Sequence, residues 1–124
     1  MRCEIIAGRR ATGKTTLVAD KIARGEVVQP VLYFDYKHPF DATVYQQKTE
    51  QRRAAVPEAD QGQILDVLGT VVIDDCMSHH LRHFEPNRRF DHILVVQNIR
   101  DVPPRIRHQA DSILGEGGVP LADD

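Results

Sequence analysis

Gly8-Arg9-Arg10-Ala11-Thr12-Gly13-Lys14-Thr15 fits G-x-x-x-x-G-K-[ST], the phosphate-binding P-loop. The stretch follows the apolar run Ile5-Ile6-Ala7 and opens a segment of helical pattern, and this strand–loop–helix order is the context the motif requires. Two glycines let the backbone curl so that its N–H groups point at phosphate oxygens. The Lys14 ammonium can then reach the β- and γ-phosphates, and the Thr15 hydroxyl can ligate Mg²⁺. Residues Gly8, Arg9, Arg10, Ala11, Thr12, Gly13, Lys14, Thr15 and Thr16 therefore form the candidate nucleoside-triphosphate-binding stretch.

Outward from the loop, strands and helices alternate. Residues 2–7 read as a strand covered on both faces. The helix from Lys14 to about Arg24 turns Leu17, Val18, Ile22 and Ala23 inward, and Gly25 stops it. Val31-Leu32-Tyr33-Phe34-Asp35 has the β-branched and aromatic content of a second strand. Ala42 to Ala55 is helical with weak amphipathicity, and a polar bridge from Pro57 to Gly62 leads to a short helix, Gln63–Leu68. Thr70-Val71-Val72-Ile73-Asp74-Asp75 is the clearest strand, after which Ser78 can cap a helix through His83. Residues 91–97 form a fourth strand, Pro103-Pro104 opens a helical turn through His108, and Ala110–Leu114 makes a short fifth strand. Residues 1–114 are thus one domain, and the Gly- and Asp-rich residues 115–124 are expected to form a flexible tail. The alternation predicts an α/β fold with a mainly parallel sheet between helices, its ligand at the carboxyl ends of the strands.

Length and charge narrow the function classes. A chain of 124 residues makes a single core. A net charge of −2 argues against a generally basic nucleic-acid coat protein. Arginine doublets at Arg9-Arg10, Arg52-Arg53 and Arg88-Arg89 read first as solvated surface, although arginine also suits phosphate recognition. Cys3 and Cys76 fit neither a zinc site nor a disulfide framework, and read as buried thiols of a reducing, intracellular compartment. No apolar run is long enough for a membrane span.

A strand buried on both faces and ending in Asp74-Asp75 has the Walker B pattern. Asp74 would support Mg²⁺ beside Thr15, and Asp75 would polarise the water that attacks the γ-phosphate. Two acids capping a strand–helix junction are the plainer alternative. Gln97 ends the fourth strand, where an amide that both donates and accepts can orient that water or bond a neighbouring loop.

Taken in order, these residues resemble the FtsK/HerA superfamily of P-loop ATPases, and within it the genome-packaging ATPases of poxviruses, giant viruses and tailless internal-membrane phages. The resemblance runs through Gly8–Thr15, Val71-Val72-Ile73-Asp74-Asp75-Cys76-Met77, Arg88-Arg89 before a strand ending in Gln97, and residues 102–111, Val-Pro-Pro-Arg-Ile-Arg-His-Gln-Ala-Asp. Residues 36–62 match only loosely, and the chain is shorter than the family's usual core. The resemblance implies a three-layer P-loop NTPase sandwich with five strands in the order 5-1-4-3-2. It also implies ATP and Mg²⁺ as ligands, a homo-oligomeric ring that moves double-stranded DNA, a capsid or portal partner, and a place in the host cytoplasm or virion. By position it makes Lys14, Asp75 and Gln97 catalytic, Thr15 and Asp74 the metal residues, and Arg88 or Arg89 an arginine finger offered to a neighbouring subunit.

Three other readings compete. Asn98-Ile99-Arg100-Asp101 mimics the base-reading motif of GTPases but carries Ile in place of Lys. A small-molecule kinase could use Arg100, Arg105 and Arg107 as a phosphate-clamping lid, and a slow nucleotide-gated assembly module would need no rapid turnover. His79 and His83 stand at i, i+4 with His80 between them, a spacing that suits a metal but also an exposed helix face.

Overall fold

The computed structural model describes residues 1–55 and 68–121, so the polar bridge and most of the helix expected between Pro57 and Leu68 lie outside the described residues. The described chain runs β1 (Cys3–Ala7), α1 (Lys14–Ala23), β2 (Val31–Phe34), α2 (Ala42–Ala54), β3 (Thr70–Cys76), α3 (Ser78–Leu81), β4 (Asp91–Val96), α4 (Pro104–Arg107) and β5 (Ser112–Leu114). Short 3-10 turns follow β4 at Ile99–Asp101 and β5 at Glu116–Gly118. The five strands form one sheet in the order β2-β3-β4-β1-β5, and every pairing is parallel. Among the described residues no helix is long and apolar enough to cross a membrane.

Strand alternation divides the core in two. Cys3, Ile5, Val71, Ile73, Leu94 and Val96 point to one face, where Tyr45 of α2, Leu81 of α3 and Ile106 of α4 cover them. Ile6, Val72, Ile93 and Val95 point to the other, against Val18, Leu17 and Ile22 of α1. Because both faces are covered, β1 is buried at every position and β3 and β4 read as near-continuous apolar runs.

Local chemistry sets the helix boundaries. Asp41 caps α2 by accepting from the N–H groups of Thr43 at 2.8 Å and Val44 at 3.0 Å. The weak amphipathicity of this helix is borne out, since it buries only Tyr45 and Thr49, one turn apart. Helix α3 differs from expectation: β3 extends through Cys76, so Met77 takes the cap position and Ser78 is the first helical residue. The helix also stops at Leu81, short of His83.

The chain beyond Gly115 does not simply trail away over its described length. Leu114 bridges Pro120 in antiparallel sense, and the Leu121 N–H donates to Ile113 at 2.7 Å. The segment thus doubles back along β5, with Gly115 buried so tightly that an added Cβ would lie 2.9 Å from Leu121.

Candidate functional site

The loop after β1, the end of β3 and the residue after β4 come together at the carboxyl edge of the sheet. The Gly8 N–H donates to Val96 O at 3.1 Å, tying the start of the loop to β4. Gly8 is tightly enclosed, since a Cβ would sit 3.0 Å from both Glu116 Cγ and Thr12 Oγ1 and would press on those side chains. Gly13 holds φ at 84°, a left-handed conformation that glycine adopts without steric cost, and from it α1 begins. Thr12 Oγ1 donates to Arg9 O at 2.7 Å and braces the loop across its width. The Lys14 ammonium donates to the carbonyls of Gly8 and, at 3.0 Å, Arg9, so it lies folded over the loop.

Thr15 and the β3 acids meet here. Thr15 Oγ1 donates to Asp74 Oδ2 at 2.9 Å, and Tyr33 Oη of β2 donates to the same oxygen at 2.8 Å. Burial first, and then the hydrogen bond to Asp74, push the Tyr33 phenol well above its usual range, so it stays a donor. On the other side of the acid pair, Gln97 Nε2 donates to Asp75 Oδ1 at 3.4 Å.

A regular strand cannot place consecutive side chains on one face. Here β3 carries one extra residue: Ile73 pairs with Leu94 and Cys76 with Val96, leaving Asp74 and Asp75 opposite Val95 alone. Asp75 takes the left-handed conformation at φ 54°. The bulge returns Cys76 to the face of Ile73 and turns Asp75 toward Gln97, the re-aiming that such bulges achieve beside functional sites.

Beside the loop lies a cleft of about 260 Å³, lined by Ile6, Gly13, Thr16, Leu17, Asp20 and Gly117, among others. The turn after β5 forms its outer wall. Glu116 from that turn accepts from Arg9 Nε at 2.9 Å and from the Arg9 backbone N–H at 3.3 Å, which holds its carboxyl below the usual range. Arg9 is thereby committed to Glu116, while Arg10 is exposed and Ala11 holds φ at 62°.

Other predicted residues lie elsewhere. Arg88 and Arg89 precede β4, at the amino edge of the sheet, and border a separate cleft with Met1 and Gln109. Six strand residues, about 20 Å, separate that edge from Gln97. The chain therefore does not bring them to its own Lys14 and Asp75. Arg105 reaches Glu85 at 3.0 Å and the carbonyls of Leu81 and Phe84 at 3.1 and 2.7 Å, so it braces the end of α3 and is no free lid arginine. Asn98 caps the 3-10 turn by accepting from the Arg100 N–H at 3.0 Å. His80 Nδ1 accepts from the Met77 N–H at 3.0 Å, and its ring packs on Phe40. Among the described residues no three His, Cys, Asp or Glu side chains cluster as metal ligands. Cys3 and Cys76 are free and buried, and burial pushes both thiols up to about 12.

Tyr33 and Glu116 are the site residues that sequence reasoning missed. The sequence marked Tyr33 only as part of the second strand, and the pairing of Tyr33 with Val72 is what brings its hydroxyl to Asp74. Compared with known proteins, the chain matches no family model, no curated protein sequence and no solved structure.

Proposed function

We propose that this chain is an ATP-hydrolysing P-loop ATPase that works as an oligomer, as a DNA-packaging or translocation motor. The observation that carries the reading is the hydrogen bond between Thr15 and Asp74, which joins the end of the phosphate loop to the end of β3. Counted from the β5 edge, the strands read 5-1-4-3-2, the order that the resemblance to packaging ATPases implies. Phosphates would take the N–H groups of Gly8–Thr15 and draw the Lys14 ammonium from the loop carbonyls. The nucleoside would lie in the cleft walled by Thr16, Leu17 and Gly117.

The donor set fits Mg²⁺. That ion binds through few protein groups, retaining waters and phosphate oxygens, so one hydroxyl and one carboxylate suffice without a ligand cluster. Thr15 Oγ1 has lone pairs to offer while its O–H donates to Asp74. When bound, Mg²⁺ would neutralise charge developing on the phosphates.

In the hydrolysis, a water oxygen bonds to the γ-phosphorus as the bond from that phosphorus to the β-bridging oxygen breaks, releasing ADP and phosphate. Asp75 accepts the proton that the water gives up. The Gln97 amide donates to Asp75 and has its own carbonyl oxygen to hold the same water. A neighbouring subunit would supply the arginine finger, because Arg88 and Arg89 lie on the edge away from their own loop.

An ATPase assay with and without double-stranded DNA, run beside native mass measurement, tests the proposal. Expected are Mg²⁺-dependent phosphate release, nucleotide-dependent oligomers and stimulation by DNA. Stoichiometric nucleotide binding to a monomer without turnover would instead make the chain a nucleotide-gated module. Phosphate transfer to an added small acceptor would make it a kinase.

A further inference from the structure

We infer that Tyr33 is a positioning residue for metal-dependent nucleotide binding, fixing the Asp74 carboxylate through its hydroxyl. The inference rests on the nucleotide reading above. Asp74 Oδ2 takes two donors, Thr15 Oγ1 at 2.9 Å and Tyr33 Oη at 2.8 Å. They come from two different elements: Thr15 from the first turn of α1, and Tyr33 from the neighbouring strand β2. Thr15 has to share its oxygen with a metal, so it cannot alone dictate how the carboxylate turns. Tyr33 has no such second duty.

The geometry explains why a tyrosine stands at this point. Tyr33 pairs in register with Val72, two residues before Asp74 on β3. Its ring is partly buried against the cluster of Ile6, Val18 and Val72 that anchors α1. From there a phenol spans the distance forward to Asp74, which a shorter Ser or Thr at the same Cα would not. A hydroxyl on a ring seated in this way costs little entropy to order. Phenylalanine would keep the packing and lose only the donor. With Oδ2 held by both hydroxyls, Asp74 Oδ1 is the oxygen left to meet a metal-bound water.

Partners that orient a metal-binding group typically change metal affinity by about 10–100-fold when removed. Mn²⁺ binding followed by electron paramagnetic resonance, with a non-hydrolysable ATP analogue at saturation, reads this directly. Tyr33→Phe is expected to weaken Mn²⁺ by at least about 10-fold, in the direction of Asp74→Asn. Nucleotide affinity in EDTA should stay at the wild-type value. Tyr33→Leu, which keeps apolar bulk on β2, should weaken Mn²⁺ in the same way. Wild-type Mn²⁺ affinity in Tyr33→Phe, with Asp74→Asn impaired, overturns the role of Tyr33 alone. A wild-type chain that binds neither nucleotide nor Mn²⁺ overturns the nucleotide reading, and this inference with it.

Discussion

Thr15 and Asp74, 59 positions apart in sequence, meet through a 2.9 Å hydrogen bond that links the first turn of α1 to the end of β3. The loop after β1 and the acid pair thereby share one frame. Substitutions on either side of that bond should separate binding from turnover.

Lys14→Ala should abolish most nucleotide binding without unfolding the chain. Lys14 bonds only backbone carbonyls of its own loop here, and it is the cation best placed for phosphate. Hydrogen bonds to charged groups contribute about 1.5–3 kcal/mol each, so titration calorimetry should show affinity lower by about 10- to 100-fold. Unchanged affinity would remove the loop from the site.

Asp75→Asn should keep nucleotide affinity and lower kcat by about 10²–10⁴, the usual contribution of a positioned base. Asn is the informative replacement because it also tolerates the left-handed backbone that Asp75 adopts at φ 54°. Turnover equal to wild type would assign the water-activating role to another group.

Arg88→Ala combined with Arg89→Ala should leave nucleotide binding by an isolated subunit intact, since both side chains lie at the amino edge of the sheet. If the pair supplies a finger across a subunit boundary, turnover of the oligomer falls by about 10³–10⁵. Mixing these subunits with Lys14→Ala subunits should then restore part of the activity, because each mutant supplies what the other lacks. Full activity in the double mutant would dismiss both arginines.

Acid should destabilise the fold through His92. This side chain is buried, its Nδ1 facing Phe90 O at 3.1 Å and its Nε2 facing Tyr45 Oη at 2.9 Å. Burial pushes its pKa down from 6.5 to about 4. Between those values the unfolded chain takes up a proton that the folded chain refuses, so stability rises with pH across the interval and is lost as pH falls from about 6.5 toward 4. Urea denaturation at a series of pH values should show this slope, and His92→Phe should flatten it. The same variant leaves Tyr45 without an acceptor, at a cost of about 1–3 kcal/mol at neutral pH.

Much of the scaffold was legible because its signals are local. The stretches 2–7, 70–75 and 91–97 read as strands from their apolar and β-branched content, and Gly13-Lys14 marked the start of α1. What escaped depends on contacts between distant segments. Glu116 read as part of a loose end because nothing nearby in sequence reveals that Arg9 faces it, 107 positions away. Tyr33 read as strand filler because its role needs the register between β2 and β3. The bulge at Asp74-Asp75 was not legible either, since strict alternation gives no sign of the extra residue opposite Val95. Arg88 and Arg89 were placed by resemblance, although their position before β4 already sets them at the amino edge of the sheet, opposite Gln97.

The surplus residue in β3 makes the spacing between Ile73 and Cys76 as informative as the identities of the two acids. Removing a single residue there would leave an aspartate in the sequence but return the strand to strict alternation. The remaining carboxylate could face α1 and Thr15, or Gln97, but not both. Under the proposed function, a chain with one fewer position between those core residues would be expected to bind nucleotide and lose turnover.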